Sequence, residues 1–259
     1  MHPPFSSIMI NGLPVNHATA GEGRPLLLLH GWGAHIALVW PLAQAMIPLG
    51  YRVYALDMPG FGQTPPPPVA WSIYDYARFV VAYLDAQELE QVDVFGHSFG
   101  GRLGLILGAD YASRIGKLAL ADAAGIKLPT SRSVALRLTV YKGIRDGLYR
   151  IGAKSLADTL RAAYNRRYGS TDFQQVSGVM RETFVKVVNE DLQAAAKRVQ
   201  RPTLLFWGDQ DQDTPLWQGQ LLETLIPDAG LIVHKGAGHY SYLDALPDTV
   251  RVLDYFLKN

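Results

Sequence analysis

A serine hydroxyl becomes a useful nucleophile near neutral pH only when a base takes its proton, and a histidine oriented by a carboxylate is the usual base. Ser98 stands in Gly96-His97-Ser98-Phe99-Gly100-Gly101, after the β-branched and aromatic run Val92 to Phe95 and before the apolar helix pattern of Leu103, Leu105, Ile106, Leu107 and Ala109. A chain that passes from strand to helix at one residue strains that residue's backbone. Glycines on either side let strand and helix approach closely, and the hydroxyl is left exposed at the sheet's carboxyl edge. The helix N-terminus then faces any negative charge that develops there. Chance Gly-x-Ser-x-Gly matches are common, so the flanking strand and helix carry the inference.

The base must come from seven histidines. His2 and His17 lie near the start, His35 and His234 follow no distinctive loop pattern, and His97 points away from its neighbour in a tight turn and reads as structural. His239 lies in Gly236-Ala237-Gly238-His239-Tyr240, directly after the last predicted strand. A lone histidine is more often structural, but ligands of an open α/β sheet gather at the strands' carboxyl ends, which favours His239. For the carboxylate, the strand Thr203 to Trp207 runs into Gly208-Asp209-Gln210-Asp211-Gln212-Asp213-Thr214-Pro215, and Asp122 ends the strand before the helical stretch. Spacing does not choose among these four aspartates. Asp213 or Thr214 also suits a cap for the helix opening at Pro215. The two backbone N–H donors that a tetrahedral oxyanion requires are expected from Phe99, directly after the nucleophile, and from Trp32 in His30-Gly31-Trp32-Gly33. Trp32 also suits a pocket wall.

The elements that must hold these residues alternate. Ile8 to Ile10 and Val15 to Thr19, joined by Asn11-Gly12, read as a hairpin. Strands at Pro25 to Leu29, Arg52 to Leu56, Val92 to Phe95 and Lys117 to Ala121 are separated by helices at Val39 to Leu49, at Ile73 to Leu84 behind the capping pair Ser72 and Asp75, and after Ser98. Residues 126–200 contain no convincing strand. Helical spacing recurs there from Val134 to Ile151, behind a Ser155/Asp158 cap, and from Phe173 to Val187. Strand, helix, strand and helix then follow, from Thr203 to Leu257. This is the pattern of a doubly wound, mostly parallel eight-stranded sheet in one α/β unit, with the core over 1–125 and 201–259 and a helical insertion over 126–200, which a family resemblance of the motifs makes a cap or lid.

Composition narrows the partners. The chain has 259 residues, 48% hydrophobic and 18% charged, which suits a large packed core. A net charge of +1 gives no case for nucleic acid, and no apolar run reaches a membrane span. The start shows no basic region followed by an apolar one, so no secretory leader is expected. With no cysteine, disulfides, thiolate metal sites and a Cys nucleophile are excluded, and a cytoplasmic setting is expected. Nothing indicates an oligomeric state. The charge is uneven, however. Residues 126–200 carry 14 Lys and Arg against 6 Asp and Glu, a net of +8, and the remainder carries 10 against 17, a net of −7. A basic lid suits a plain solvated face, attraction of anionic esters, or rest against an anionic membrane surface. The stripe from Val134 to Ile151 is expected to cover the pocket, with Arg132, Arg137, Lys142 and Arg150 outward.

The segments His30-Gly31-Trp32, Asp57-x-Pro59-Gly60-Phe61-Gly62, Gly96-His97-Ser98-Phe99-Gly100-Gly101, Trp207-Gly208-x-x-Asp211-x-x-x-Pro215 and Gly238-His239 together resemble the α/β-hydrolase superfamily over nearly the whole chain. The resemblance implies a serine hydrolase with Ser98 as nucleophile, His239 as base and Asp211 as acid, since the family places that acid three residues after Gly208. It makes Asp57 a structural turn residue and Asp244 a support for the loop after His239. Ser98 disfavours the members that use an aspartate nucleophile. Members that cleave carbon–carbon bonds often carry Gly-Pro-Gly in the first loop, where this chain reads Gly33-Ala34-His35. The expected activity is cleavage of small to medium carboxylic esters through an acyl-enzyme, with no metal or organic cofactor. The rivals are carbon–carbon hydrolysis, lactone opening or perhydrolysis on the same triad, and a ligand receptor that retains it.

Overall fold

Asn11 and Gly12, at φ 50° and 81°, turn the chain between β1 (Phe5–Ile10) and β2 (Leu13–Ala20). Two successive positive φ values make a type I′ turn, for which Asn-Gly is the favoured pair. Then follow β3 (Arg24–Leu29), α1 (Ile36–Met46), β4 (Tyr51–Leu56), α2 (Ile73–Ala86), β5 (Val92–His97), α3 (Phe99–Asp110) and β6 (Ile115–Ala121). A helical stretch comes next: α4 (Arg132–Arg150), α5 (Lys154–Tyr168), α6 (Thr171–Gln175), α7 (Gly178–Asn189) and α8 (Gln193–Ala196). The chain finishes with β7 (Thr203–Gly208), α9 (Leu216–Leu225), β8 (Ala229–His234), α10 (Ser241–Asp244) and α11 (Leu246–Lys258). The computed structural model describes residues 2–127, 132–168 and 171–259, without the side chains of Arg132, Ala135, Asn165, Thr171 and Asp172.

The strands form one eight-stranded sheet in the order β1-β2-β4-β3-β5-β6-β7-β8. β1 and β2 pair antiparallel, β2 joins β4 antiparallel, and every pairing from β4 to β8 is parallel. Alternate residues serve opposite faces. Leu27, Leu29, Val94, Leu118 and Leu205 pack with α2 and α3, while Leu26, Leu28, Phe95, Ala119 and Phe206 pack with α1 and α11. A parallel sheet covered on both faces needs such continuous apolar strands. It also sets the carboxyl ends of β3, β5, β6, β7 and β8 along one edge, where the chemically able residues were expected.

Local chemistry explains where sequence expectation and structure part. α1 begins at Ile36, three residues before the expected start, because the Asp57 carboxylate accepts the Ile36 N–H at 2.8 Å. A cap supplied from 21 residues away leaves no local signal. α2 has the expected capping box of Ser72 and Asp75. α5 starts at Lys154, so Ser155 lies inside its first turn, and Asp158 accepts from Tyr149 Oη at 2.7 Å instead of capping. The expected helix from Phe173 to Val187 is interrupted between α6 and α7, where Gly178 takes φ 52°.

Candidate active site

Ser98 joins β5 to α3 at φ 52° and ψ −104°, a region that costs a non-glycine residue about 1–3 kcal/mol. Glycines make the turn possible. A Cβ on Gly96 would collide with the Gly100 carbonyl, and one on Gly100 with that of Leu29. The strained residue is pinned by its own backbone, which donates to Ala121 O at 3.0 Å and accepts from Ala124 N–H at 3.1 Å.

Three of the expected residues meet. His239 Nε2 lies 3.0 Å from Ser98 Oγ, and His239 Nδ1 lies 2.8 Å from Asp211 Oδ2. An ionised carboxylate only accepts, so Nδ1 carries the proton and Nε2 is left to accept from the serine. Asp211 is buried and well held. Its Oδ1 accepts the N–H groups of Asp213 and Thr214 at 2.8 and 2.9 Å, and its Oδ2 accepts from Thr214 Oγ1 at 2.7 Å. Burial works to raise the Asp211 pKa, but the bonds from His239 and Thr214 outweigh it and hold it below the usual carboxylate value. Burial lowers the His239 pKa, and the hydrogen bond and charge of Asp211 outweigh that and hold it above the ordinary imidazole value. Both directions belong to a carboxylate that steadies an imidazolium.

The other three aspartates do different things. Asp209 Oδ1 accepts the Gly236 N–H at 2.7 Å, tying the two loops together. Asp213 is exposed, and neither it nor Thr214 caps α9, whose N-cap is Pro215 without a side-chain bond. Asp122, fully buried at φ 47°, accepts the Gly208 N–H at 2.9 Å on Oδ1. Its Oδ2 accepts the Ser241 N–H and hydroxyl at 3.0 and 2.7 Å. One carboxylate thus braces the loops carrying both Asp211 and His239. Burial pushes its pKa up to about 7 against those bonds. Asp244 supports the histidine loop as expected, accepting the Gly238 N–H at 2.9 Å.

His97 takes part in a way its position did not suggest. Its Nε2 donates to the His239 carbonyl at 2.7 Å, fixing that residue's backbone, and burial pushes its pKa down to about 3, so the ring is neutral. His30 likewise accepts the Met58 N–H on Nε2 at 3.0 Å. Asp57 is the expected turn residue, bonded to Asn16 Nδ2 at 2.7 Å and to the Gln63 N–H at 2.9 Å.

Ser98, His97, His239 and Thr214 line a cavity of about 750 Å³. The backbone N–H groups of Trp32 and Phe99, both on its wall, donate to no group among the described residues. The Trp32 ring packs edge-on against Phe61, Phe99 and Phe184, with centroids 4.7, 5.4 and 5.1 Å apart. The expected pocket cover is corrected here. Phe184, Val187 and Val188 of α7 line the cavity, and no α4 residue does among the described residues. On α4, Tyr141 turns toward α5 and stacks on Tyr164 at 3.9 Å, so its inward stripe is used up within that helix pair. Arg137 lies over the Tyr168 ring at 4.0 Å, Lys142 and Arg150 are exposed, and the side chain of Arg132 lies outside the described residues. The sequence reading also passed over Arg102, a cavity residue whose signal was one charge in the otherwise apolar run from Phe99 to Ala109.

Asp211, Asp213 and His239 place one possible metal-ligating atom each within 4.8 Å of one another. Within that group His239 Nδ1 and Asp211 Oδ2 are bonded to each other, and Asp213 is exposed. Among the described residues no helix is long and apolar enough to cross a membrane.

A family model described as the alpha/beta hydrolase fold matches residues 24–246. The chain is 28% identical over 253 residues to the 2-hydroxymuconate semialdehyde hydrolase of Pseudomonas sp. (strain CF600), covering 92% of this chain and 88% of that one. It is 28% identical over 257 residues to the pimeloyl-[acyl-carrier protein] methyl ester esterase of Chromobacterium violaceum, covering 93% and 96%. Among solved structures, a variant of the meta-cleavage product hydrolase from Pseudomonas fluorescens IP01 superposes with a TM-score of 0.74 at 26% identity, covering 98% and 97%.

Proposed function

The chain belongs to the α/β-hydrolase fold family and is a hydrolase, and from that premise we propose that it cleaves carboxylic esters of small to medium size through an acyl-enzyme on Ser98. The observation that carries the proposal is the continuous bond path from Ser98 Oγ through His239 to Asp211, at 3.0 and 2.8 Å. Ser98 Oγ attacks the ester carbonyl as its proton passes to His239 Nε2. The oxygen that becomes negative is held by the N–H groups of Phe99 and Trp32, and the positive end of α3 faces it. Asp211 steadies the imidazolium. His239 then returns the proton to the leaving alcohol and takes one from a water whose oxygen attacks the acyl carbon, and as the acid leaves His239 gives that proton to Ser98 Oγ. In this reading residues 126–200 act as a lid, and α7 is the part that meets the substrate.

A second reading is carbon–carbon hydrolysis, the chemistry named for the 2-hydroxymuconate semialdehyde and meta-cleavage product hydrolases. It would use the same residues with a carbon leaving group stabilised as an enol. The first loop disfavours it, since Gly33-Ala34-His35 stands where members with that chemistry often carry Gly-Pro-Gly. The deciding experiment is turnover of a panel of esters, lactones and dienoate ketones, with Ser98→Ala as control. Esters should turn over fastest, and Ser98→Ala should lower kcat by about 10⁴ or more. Rapid cleavage of the ketones alone would favour the second reading, and tight binding without turnover a receptor.

A further inference from the structure

The interior of α3 is apolar from Phe99 to Ala109 except for Arg102, which is 7% exposed. Its backbone N–H donates to Ser98 O at 3.1 Å, so it lies one helical turn beyond the nucleophile. One Nη donates to the carbonyls of Val187 and Glu190, both at 2.9 Å, at the C-terminal end of α7. Capping α7 therefore accounts for two of its five N–H groups. Among the described residues the rest of the guanidinium makes no hydrogen bond, and no carboxylate comes within ion-pair distance of it. Burial pushes its pKa down to about 10, although Glu190 and Asp191 are near enough to pull it back up. The remaining donors are not sealed from solvent, so an acceptor in the cavity can take the place of water on them.

Arg102 lines the cavity, and among the described residues it is the one Lys or Arg that does. Arg102 and buried Val187 line it together with Ser98, and Asp213 and Tyr240, also on its wall, are exposed. The acyl group is the part of the substrate that stays bonded to Ser98, one helical turn from Arg102, so a carboxylate on it faces that side chain through both halves of the reaction. A guanidinium edge with two parallel donors fits a carboxylate in a way an ammonium does not.

On the ester-hydrolase reading above, we propose that the acyl chain of the substrate carries a carboxylate, and that the unoccupied edge of Arg102 receives it. The substrate class is the monoester of a dicarboxylic acid. Arg102 is then a specificity-determining residue as well as the tie to α7.

The test is kcat/KM for the monomethyl and dimethyl esters of the dicarboxylic acids from succinate to suberate, in the unaltered protein, Arg102→Gln and Ser98→Ala. At one chain length the half-ester should lead its diester by about tenfold or more, as a charged hydrogen-bonded pair implies. Arg102→Gln should lower the half-ester rate at least about tenfold more than the diester rate. Equal losses on both esters would leave Arg102 as the tie to α7 alone and overturn the proposal. A diester lead at every length would do the same. Turnover of no ester, or turnover that survives Ser98→Ala, would count against the ester-hydrolase reading instead. The pocket is then read by calorimetric titration of the Ser98→Ala protein with the free dicarboxylates. Binding about tenfold tighter than in the Arg102→Gln/Ser98→Ala protein supports the proposal, and equal affinity rejects it.

Discussion

At the scale of single residues, four aspartates crowd the site and their bonds separate them. Asp211→Asn should lower kcat by about 10³–10⁴, because an amide that donates to Nδ1 holds the wrong tautomer. Asp209→Asn and Asp213→Asn should cost at most about tenfold, since one ties a loop and the other is exposed. Asp122→Asn should act on stability first. It turns an NH₂ toward either Gly208 or Ser241, leaving a buried donor unsatisfied at about 1–3 kcal/mol. If Asp122→Asn reduced kcat more than Asp211→Asn with folding intact, the acid assignment would move to β6. The pH profile follows from the same bonds. His239 must be neutral to act as base and its pKa is raised, so activity should rise with pH along a limb above the ordinary 6.5 of imidazole. Asp211→Asn removes the main raising cause, and its residual activity should show that limb at lower pH. Stability runs the other way for the pair. The lowered Asp211 pKa contributes stability that is lost as pH falls through its folded value, and the raised His239 pKa contributes stability lost as pH rises through its own. Ser98 itself is strained at φ 52°, so Ser98→Gly should unfold at a higher temperature than Ser98→Ala, a difference visible by calorimetry.

At the scale of elements, the sheet was legible because each parallel strand is a short apolar run closed by Gly, Asp or His, and each outer helix has one apolar stripe. Ser98 and His239 were legible from their places at strand ends. Asp211 was not separable from its neighbours by spacing, because the discriminating bond comes from a loop 28 residues away. The helical stretch was the hardest part. α4 carries two apolar rows, one of Leu138, Tyr141 and Leu148, the other of Leu136, Val140 and Ile144, and periodicity cannot say which one is buried. The structure leaves Leu136, Val140 and Ile144 exposed at 66%, 53% and 54%. α7, by contrast, is tied to the body by Thr183 Oγ1 accepting from Trp71 N–H at 3.1 Å, Lys186 Nζ donating to Ala70 O at 2.6 Å, and Arg102. Hydrogen exchange read by mass spectrometry should therefore show slower exchange in α7 than in α4 and α5. Equal protection of the three would mean that these ties do not fix the cover.

At the scale of the molecule, charge is divided. The stretch 126–200 bears a net of +8 and the rest a net of −7. A basic stretch that supplies part of the cavity wall should draw anionic esters toward it, an effect of encounter rate that salt weakens. The kcat/KM advantage of an acidic ester over a neutral one should shrink between about 0.01 and 0.15 M salt, as the screening length falls from roughly 30 to 8 Å. Replacing Arg137, Lys142 and Arg150 with Gln should remove that salt-dependent part, and any advantage owed to buried Arg102 should persist. No salt dependence in the unaltered protein would leave the basic surface as a solvated face. All of this presupposes that Ser98 is the nucleophile. The most direct measurement is labelling with a fluorophosphonate, with the modified residue located by peptide mass spectrometry. The account predicts one adduct, on Ser98, lost in Ser98→Ala and slowed in His239→Ala. Labelling that persists in Ser98→Ala, or an adduct on another residue, would contradict it.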